Sequence, residues 1–143
     1  MNSLLNRYYQ EKFFIIPIKP NEKRPVYKKW NQYSLSLLEA EKWLKNGYNL
    51  AVVAKDLWIL DYDERLLPAG EEYRIWHTLV QFTPHGYHVF YRAKSLDDIV
   101  TKMPMRTPDT VRHGDMYALL APSRVDGKSY WWLDSMKGEI LQL

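Results

Sequence analysis

The sequence predicts an α+β domain in which helices cover an antiparallel or mixed sheet. Two segments carry apolar residues at helical spacing, and several short apolar runs end at Gly, Pro, Asn or Asp. The chain has 143 residues, of which 46% are hydrophobic and 15% aromatic. That length suits one compact domain over residues 1–143 and is too short for two ordinary domains.

The first third of the chain predicts two helices around one strand. Residues 3–12 carry paired leucines and paired tyrosines at helical spacing, and the apolar run Phe13–Ile18 predicts a strand. A second helix over residues 36–46 has an apolar stripe, with a serine at 34 or 36 as its N-cap. The Asn-Gly pair that follows is typical of a helix end.

The remaining elements are mostly strands. Leu50–Ala54 and Leu57–Tyr62 are joined by Lys55-Asp56, which we interpret as a hairpin. Two more strands, Thr78–Phe82 and Tyr87–Arg92, flank a Pro-His-Gly turn. We also expect short helices at residues 70–78 and Ser95–Val100, a strand region at Val111–Arg112 and Tyr117–Ala121, and an aromatic strand at Ser129–Leu133.

The charge pattern and the missing cysteines limit the possible functions. The net charge is +3, and much of the positive charge lies between Lys19 and Lys29, where Glu22 is the only acid. This run is either a solvated basic loop or a surface that faces phosphates.

The sequence contains no Cys, so disulfides and Cys nucleophiles are excluded. It also has no signal peptide and no long apolar run, so we expect a cytoplasmic protein without membrane contact.

The predicted strand at Leu57–Tyr62 ends in an acid pair, Asp61 and Asp63. Residues two apart in a strand project from one face, with Cα atoms about 7 Å apart. Two carboxylates this close repel unless a cation lies between them, and Mg²⁺ or Mn²⁺ prefers such oxygen ligands. The alternative is that the two aspartates simply begin a loop, because Asp-x-Asp by itself is a weak motif.

Two further segments carry residues suited to binding phosphates. In TPHGYHVFY, residues 83–91, Thr83 and the backbone around Gly86 supply donors, and His88 begins the next strand. In DTVRHGDMYALLAPS, residues 109–123, Arg112 either forms a structural salt bridge or holds a nucleotide phosphate.

Together these segments resemble the bifunctional DNA primase/polymerase (prim-pol) domain of the archaeo-eukaryotic primase superfamily, found in replication proteins of archaeal plasmids, viruses and other mobile elements. The resemblance runs from about residue 10 to residue 133. It rests on the order and spacing of FFIIPIKPNEKRPVYKKW, NLAVVAKDLWILDYDE, TPHGYHVFY and VRHGDMYALLAPSRVDGKSYWW. It implies an RRM-like sheet core with flanking helices and an active site on the sheet.

The resemblance also implies the site. Asp61 and Asp63 match the acid-x-acid metal motif, and Gly86-Tyr87-His88 matches the turn that contacts nucleotide phosphates, although the family usually has two glycines where this chain has His85-Gly86. The implied cofactor is Mg²⁺ or Mn²⁺. The implied phosphate-binding residues are Thr83, Gly86, His88 and Arg112, with Lys23 and Arg24 of the basic loop.

The third acid of the family departs from the pattern. The family has Asp-x-Arg at the start of a strand, and counting back from Arg112 gives Thr110. Asp109 is one residue away, and in a regular strand such a slip turns the side chain to the other face unless a β-bulge restores it. Asp109 is therefore our candidate for the third metal ligand and catalytic acid, with Asp115 a weaker one.

Two functions follow from the resemblance. The first is a primase/polymerase that acts on dNTPs or NTPs and single-stranded DNA, beside a helicase or other replication proteins. The second is a catalytically weakened prim-pol-like domain that binds nucleotide or single-stranded nucleic acid. An RRM-like RNA binder without a metal site is a third, more remote alternative. The position of Asp109 relative to Asp61 and Asp63 distinguishes the first two.

Overall fold

The computed structural model describes residues 3–64, 77–104 and 106–143. The helices in this part of the chain are α1 (Ser3–Gln10), α2 (Leu37–Lys45) and α3 (Leu96–Lys102). The strands are β1 (Phe14–Ile18), β2 (Asn49–Val53), β3 (Trp58–Tyr62), β4 (Leu79–Phe82), β5 (Tyr87–Arg92), β6 (Thr110–Arg112), β7 (Tyr117–Leu120), β8 (Arg124–Val125), β9 (Lys128–Ser129), β10 (Trp131–Trp132) and β11 (Leu141–Gln142).

The strands form two main sheets. The first has the order β1-β2-β7, and the second has the order β10-β4-β5-β3-β6, with β11 beside β5. All these pairs are antiparallel except β11 with β5, which is parallel. Strands β8 and β9 form a small separate hairpin. The predicted α+β class with a mixed sheet is therefore confirmed.

The predicted hairpin at Lys55-Asp56 is wrong. Strand β2 lies between β1 and β7 in the first sheet, whereas β3 lies between β5 and β6 in the second. The connection passes from one sheet to the other, and the Ala54 N–H donates to the O atom of Met116, the residue before β7, at 2.8 Å. Tight two-residue hairpins favour Asn-Gly or Asp-Gly because they need positive φ, and Lys55-Asp56 offers no glycine.

A second correction concerns residues 111–121, which we predicted as one strand region. Strand β6 belongs to the second sheet and β7 to the first. Between them Gly114 has a φ of 68° and donates its N–H to Ala54 O at 2.7 Å. Glycine adopts this backbone conformation without steric cost, so the chain turns here and crosses between the sheets.

The predicted starts of the second helix and of the helix after residue 94 are confirmed. Ser36 and Glu39 form a capping box at the start of α2, and the Ser95 hydroxyl accepts the N–H of Asp98 at the start of α3. The predicted helix at residues 70–78 lies outside the described residues, apart from His77 and Thr78, which are not helical. No helix of the described part is long and apolar enough to cross a membrane.

The alternation of side chains along β3 separates two cores. Ile59 faces the larger core, which includes the first sheet, whereas Leu60 and Tyr62 belong to a smaller cluster with Ile99 of α3. Asp61 continues the row of Ile59, because successive residues of a strand point to opposite faces. The carboxylate therefore lies on the face turned toward the first sheet, where the apolar row ends.

Candidate active site

The register of the second sheet aligns polar side chains across four strands. Asp61 pairs with His88 and Thr110, and His88 pairs with Gln81. Residues directly opposite one another in antiparallel strands project from the same face. Gln81, His88, Asp61 and Thr110 therefore form one polar row on the face turned toward the first sheet.

Beside this row lies a pocket of about 100 Å³. Its polar lining consists of Lys23, Asp61, Asp63, Thr83, His85, His88 and Arg112, with Tyr117 and Tyr130 at its wall. Pockets that enclose a whole small ligand usually measure roughly 300–1,000 Å³. This pocket can enclose a metal ion or a phosphoryl group, and the rest of a nucleotide would lie outside it.

Asp61 is the most constrained acid of the pocket. It is 9% exposed, its Oδ2 accepts a 2.9 Å hydrogen bond from Arg112 Nη2, and its Oδ1 lies 3.5 Å from His88 Nε2. Burial alone would raise the pKa of this carboxyl, but His88 and Arg112 outweigh it and lower the pKa to about 2. Asp61 is thus an anion at neutral pH.

This lowered pKa predicts a specific acid sensitivity. A carboxyl whose pKa falls from the ordinary 3.8 to about 2 on folding stabilises the folded state above pH ~4. That contribution is lost as the pH falls from ~4 to ~2. We expect the free energy of unfolding to decline more steeply through this window in the wild type than in Asp61→Asn, as measured by urea unfolding. If the free energy of unfolding fell equally with pH in the wild type and in Asp61→Asn, the lowered pKa of Asp61 would be contradicted.

Asp109 contacts Asp63 through the backbone N–H of Asp63. Asp109 Oδ2 accepts the N–H of Asp63 at 2.7 Å, and Asp109 N–H donates to Asp61 O at 2.8 Å. Asp63 lines the pocket, whereas Asp109 lines a different cavity on the side of Leu60 and Tyr62. The structure therefore does not bring Asp109 to the pocket, because Thr110 occupies the position opposite Asp61.

The turn before β5 depends on the absence of a side chain at Gly86. Thr83 Oγ1 accepts the Gly86 N–H at 2.9 Å, and Thr83 N–H donates to Gly86 O at 2.8 Å. A Cβ on Gly86 would lie 1.8 Å from Tyr62 O and 2.7 Å from Glu64 N. This close contact holds the turn against the end of β3, beside Asp61 and Asp63.

Gln81 is a residue of the site that our sequence analysis missed. It is fully buried; its Nε2 donates to Leu119 O at 2.8 Å, and its Oε1 accepts the Ala121 N–H at 2.7 Å. These bonds fix the amide orientation, so that Nε2, a donor, faces His88 Nδ1 at 3.4 Å. Nδ1 then acts as the acceptor, and the ring proton lies on Nε2, toward Asp61. The sequence feature that could have identified Gln81 is its position as the single polar residue in the apolar strand LVQF.

The basic residues divide into those that line the pocket and one that does not. Arg112 Nη1 donates to Tyr117 O at 2.9 Å, and its buried Nε has no acceptor among the described residues. Lys23 lines the pocket, and its carbonyl accepts the Tyr117 hydroxyl at 2.8 Å. Arg24 is exposed, pairs with Glu22 at 2.6 Å and is not part of the pocket lining.

The donor set suits one divalent cation at most. The described residues contain no group of three or more His, Cys, Asp or Glu side chains placed to hold a metal ion. Two carboxylates, Asp61 and Asp63, do line the pocket together. Mg²⁺ is usually bound through one or two carboxylates together with substrate phosphates and water, so this pair fits a cation that arrives with a triphosphate.

Comparison with known proteins identifies a family whose model matches nearly the whole chain. The family model for the N-terminal domain of bifunctional DNA primase/polymerase matches residues 5–142. A search of curated proteins finds no significant match. The matched range covers nearly the whole chain, including every strand of both main sheets and all residues that line the pocket.

Proposed function

The chain belongs to the bifunctional DNA primase/polymerase family, and we propose that its pocket carries out metal-dependent, template-directed nucleotidyl transfer. The observation that carries the proposal is the meeting of Asp61, Asp63, His88 and Arg112 in one small pocket. Two carboxylates beside phosphate-binding donors are the combination that phosphoryl transfer needs. The setting we propose is replication of a plasmid, virus or other mobile element, as the sequence resemblance implies.

In this proposal Asp61 and Asp63 hold Mg²⁺ or Mn²⁺. When bound, such an ion would lower the pKa of the attacking hydroxyl and neutralise charge on the triphosphate. The surrounding contacts support a division of roles between the two acids. Asp61 is oriented by the 2.9 Å hydrogen bond from Arg112, whereas the exposed Asp63 would turn toward a cation that arrives with the nucleotide.

The donors around the pocket would bind the triphosphate. His88 presents Nε2–H, because Gln81 holds Nδ1 as the acceptor. Thr83, whose oxygen already accepts the Gly86 N–H, keeps its hydroxyl proton for a phosphate oxygen. Arg112 and Lys23, which also line the pocket, would add positive charge. These residues orient the α-phosphate for attack by a 3′-hydroxyl.

The alternative function is a prim-pol-like domain that binds nucleotide or single-stranded nucleic acid without efficient catalysis. The position of Asp109 favours this alternative, since its carboxylate holds a backbone N–H and lies outside the pocket. A site with two carboxylates binds divalent cations more weakly than one with three. Both functions predict nucleotide binding, so catalysis must be measured directly.

Primer extension and de novo primer synthesis, each with Mg²⁺ and with Mn²⁺, test the proposal. We expect the Asp61→Asn/Asp63→Asn variant to lose at least about 100-fold in rate, because the cation loses both protein ligands. A matched control is Asp126→Asn/Asp134→Asn: both residues are exposed, lie outside the pocket and have a φ of 52°, which Asn tolerates.

The possible outcomes separate the two functions. Equal rates in the wild type and the Asp61→Asn/Asp63→Asn variant would overturn the catalytic role of the pocket. A wild type that binds dNTP and single-stranded DNA but extends no primer with either cation would favour the accessory function.

A further inference from the structure

A second concave surface, which we call the aromatic groove, lies along the C-terminal half of α2. It is lined by Tyr27, Glu39, Lys42, Trp43, Asn46 and Tyr48 and has a volume of about 730 Å³. The Trp43 ring lies edge-on to both tyrosines, 6.2 Å from Tyr27 and 4.6 Å from Tyr48 between ring centroids. Tyr27 is 44% exposed, so a large part of its ring faces solvent.

Backbone hydrogen bonds fix the two segments that carry Tyr27 and Tyr48. The chain turns at Gly47, with a φ of 84°, and the Tyr48 N–H returns to Trp43 O at 3.1 Å. On the other wall Val26 N–H donates to Pro17 O at 3.1 Å, which fixes the segment that carries Tyr27 to β1. The backbone of the groove is therefore preformed, which lowers the cost of ordering it around a ligand.

The charge around the groove is positive and largely unpaired. Lys42 lines it, and Lys28 and Lys29 follow Tyr27 directly; all three are exposed, and none forms an ion pair with a residue that the structure describes. The carboxylate of the groove, Glu39, is occupied by the Ser36 N–H and the Tyr33 hydroxyl. The surface thus suits an anionic ligand that also has flat apolar faces.

The aromatic groove and the candidate active site each take one lining residue from the same short segment of the chain. Lys23, which lines the pocket, is four residues before Tyr27. The segment between them is tied down, since Lys19 N–H donates to Arg24 O at 2.9 Å and Pro25 forms a β-bridge with Ile18. One fixed segment therefore carries a lining residue of the pocket, Lys23, and a lining residue of the groove, Tyr27.

We propose that the aromatic groove binds single-stranded nucleic acid, with a base stacked on Tyr27 and phosphates at Lys28, Lys29 and Lys42. In the context of the proposed function, on which this assignment rests, the strand is the template that leads to the pocket. Stacking needs an unpaired base, which a duplex does not offer, and every base has the required flat face. Three lysines without ion pairs favour a ligand with repeated negative charges, such as the phosphates of a nucleic acid, over a peptide with few acidic residues.

The test measures binding of a fluorescein-labelled oligothymidylate to the full chain, without dNTP or divalent metal. We expect Tyr27→Leu to weaken binding about tenfold, because it removes a stacking ring, whereas Tyr27→Phe keeps wild-type affinity. Lys42→Gln should reduce the slope of log affinity against log salt by about 0.7 in magnitude. Lys102→Gln on the exposed face of α3 is the matched control and should leave the slope unchanged.

Photo-crosslinking of an iodouracil-substituted oligonucleotide locates the strand, and we expect adducts on Tyr27, Trp43 or Tyr48. Wild-type affinity in Tyr27→Leu together with an unchanged salt slope in Lys42→Gln would overturn the assignment. Adducts confined to other surfaces would also overturn it. Because no catalysis is needed, reduced binding by Tyr27→Leu in a protein that extends no primer would uphold the groove and reject the polymerase function.

Discussion

Replacement of Gly86 by alanine should lower the free energy of unfolding by about 3 kcal/mol and remove activity from the pocket. The added Cβ would lie 1.8 Å from Tyr62 O and 2.7 Å from Glu64 N, far inside van der Waals contact. Both of these atoms belong to the backbone, so no side chain can move aside to make room. Overpacking against a fixed structure typically costs 1–3 kcal/mol, and backbone contacts lie at the upper end.

The reason for the loss of activity is the position of the turn. Gly86 lies two residues before His88, and its contact holds the start of β5 against the end of β3. To relieve the clash these ends must separate, which moves His88 away from Asp61 and Asp63. Nucleotide binding should therefore fall even at temperatures where the variant remains folded.

Urea unfolding and nucleotide binding measure the two effects. Gly138→Ala is the matched control, because its Cβ would meet only Leu79 Cδ2 at 3.7 Å, an ordinary contact. We expect that control to stay within about 0.5 kcal/mol of the wild type. A Gly86→Ala protein with wild-type stability and nucleotide affinity would contradict the role given to this contact.

Local patterns in the sequence were sufficient for much of the fold. A serine at 34 or 36 before an apolar stripe predicted the start of α2, which the structure places after Ser36, and Pro84-His85-Gly86 between two apolar runs predicted the β4–β5 hairpin. Such signals act within a few residues of one another, so a sequence contains them directly. The structure also brings Asp61, Asp63 and His88 to one pocket, as the motif spacing indicated, and their chemical roles stay proposals.

Long-range pairing could not be predicted in the same way. The link at Lys55-Asp56 has the length of a hairpin turn, and only the positions of β7 and β6 decide that β2 and β3 enter different sheets. Gln81 was missed for the same reason, since its partners Leu119 and Ala121 lie about forty residues away in the sequence. A polar residue in an apolar strand indicates a buried contact but not its partner.

The position of Asp109 illustrates how register decides chemistry. The sequence left open whether a β-bulge would bring this acid to the site, and β6 shows regular pairing, with Thr110 opposite Asp61. Asp109 then faces the other side and holds the Asp63 N–H. Asp109 thus supports the backbone at Asp63, and the residue in register with Asp61 is Thr110, which has no carboxylate.

Replacement of Thr110 by aspartate should therefore strengthen Mn²⁺ binding by about tenfold and raise the rate of primer extension. The register puts the new carboxylate on the same face as Asp61 and beside it. A unit charge at about 4 Å contributes roughly 4 kcal/mol at an effective dielectric constant of 20, before desolvation is subtracted. Thr110 is exposed, so the variant has room for the slightly larger charged side chain.

Thermal unfolding with increasing Mn²⁺ detects the added affinity without any need for catalysis, because a cation that binds only the folded state raises its stability. Without metal, Thr110→Asp should be less stable than the wild type, since its carboxylate repels Asp61. With Mn²⁺ the order should reverse. Thr110→Asn, which has nearly the same size and no charge, should show neither effect, and Asp109→Asn should leave the Mn²⁺ response unchanged.

Mn²⁺ binding and primer extension, measured together on Thr110→Asp, identify what limits the catalytic rate of this site. A Thr110→Asp protein that binds Mn²⁺ more tightly and extends primers faster would mean that charge at this one position limits catalysis in the wild type. Tighter binding with no gain in rate would mean that orientation limits catalysis, for which the hydrogen bond from Arg112 to Asp61 Oδ2 is the candidate cause. An unchanged Mn²⁺ response would contradict the metal site at Asp61 and Asp63, because a third carboxylate in register with Asp61 cannot leave a bound divalent cation unaffected.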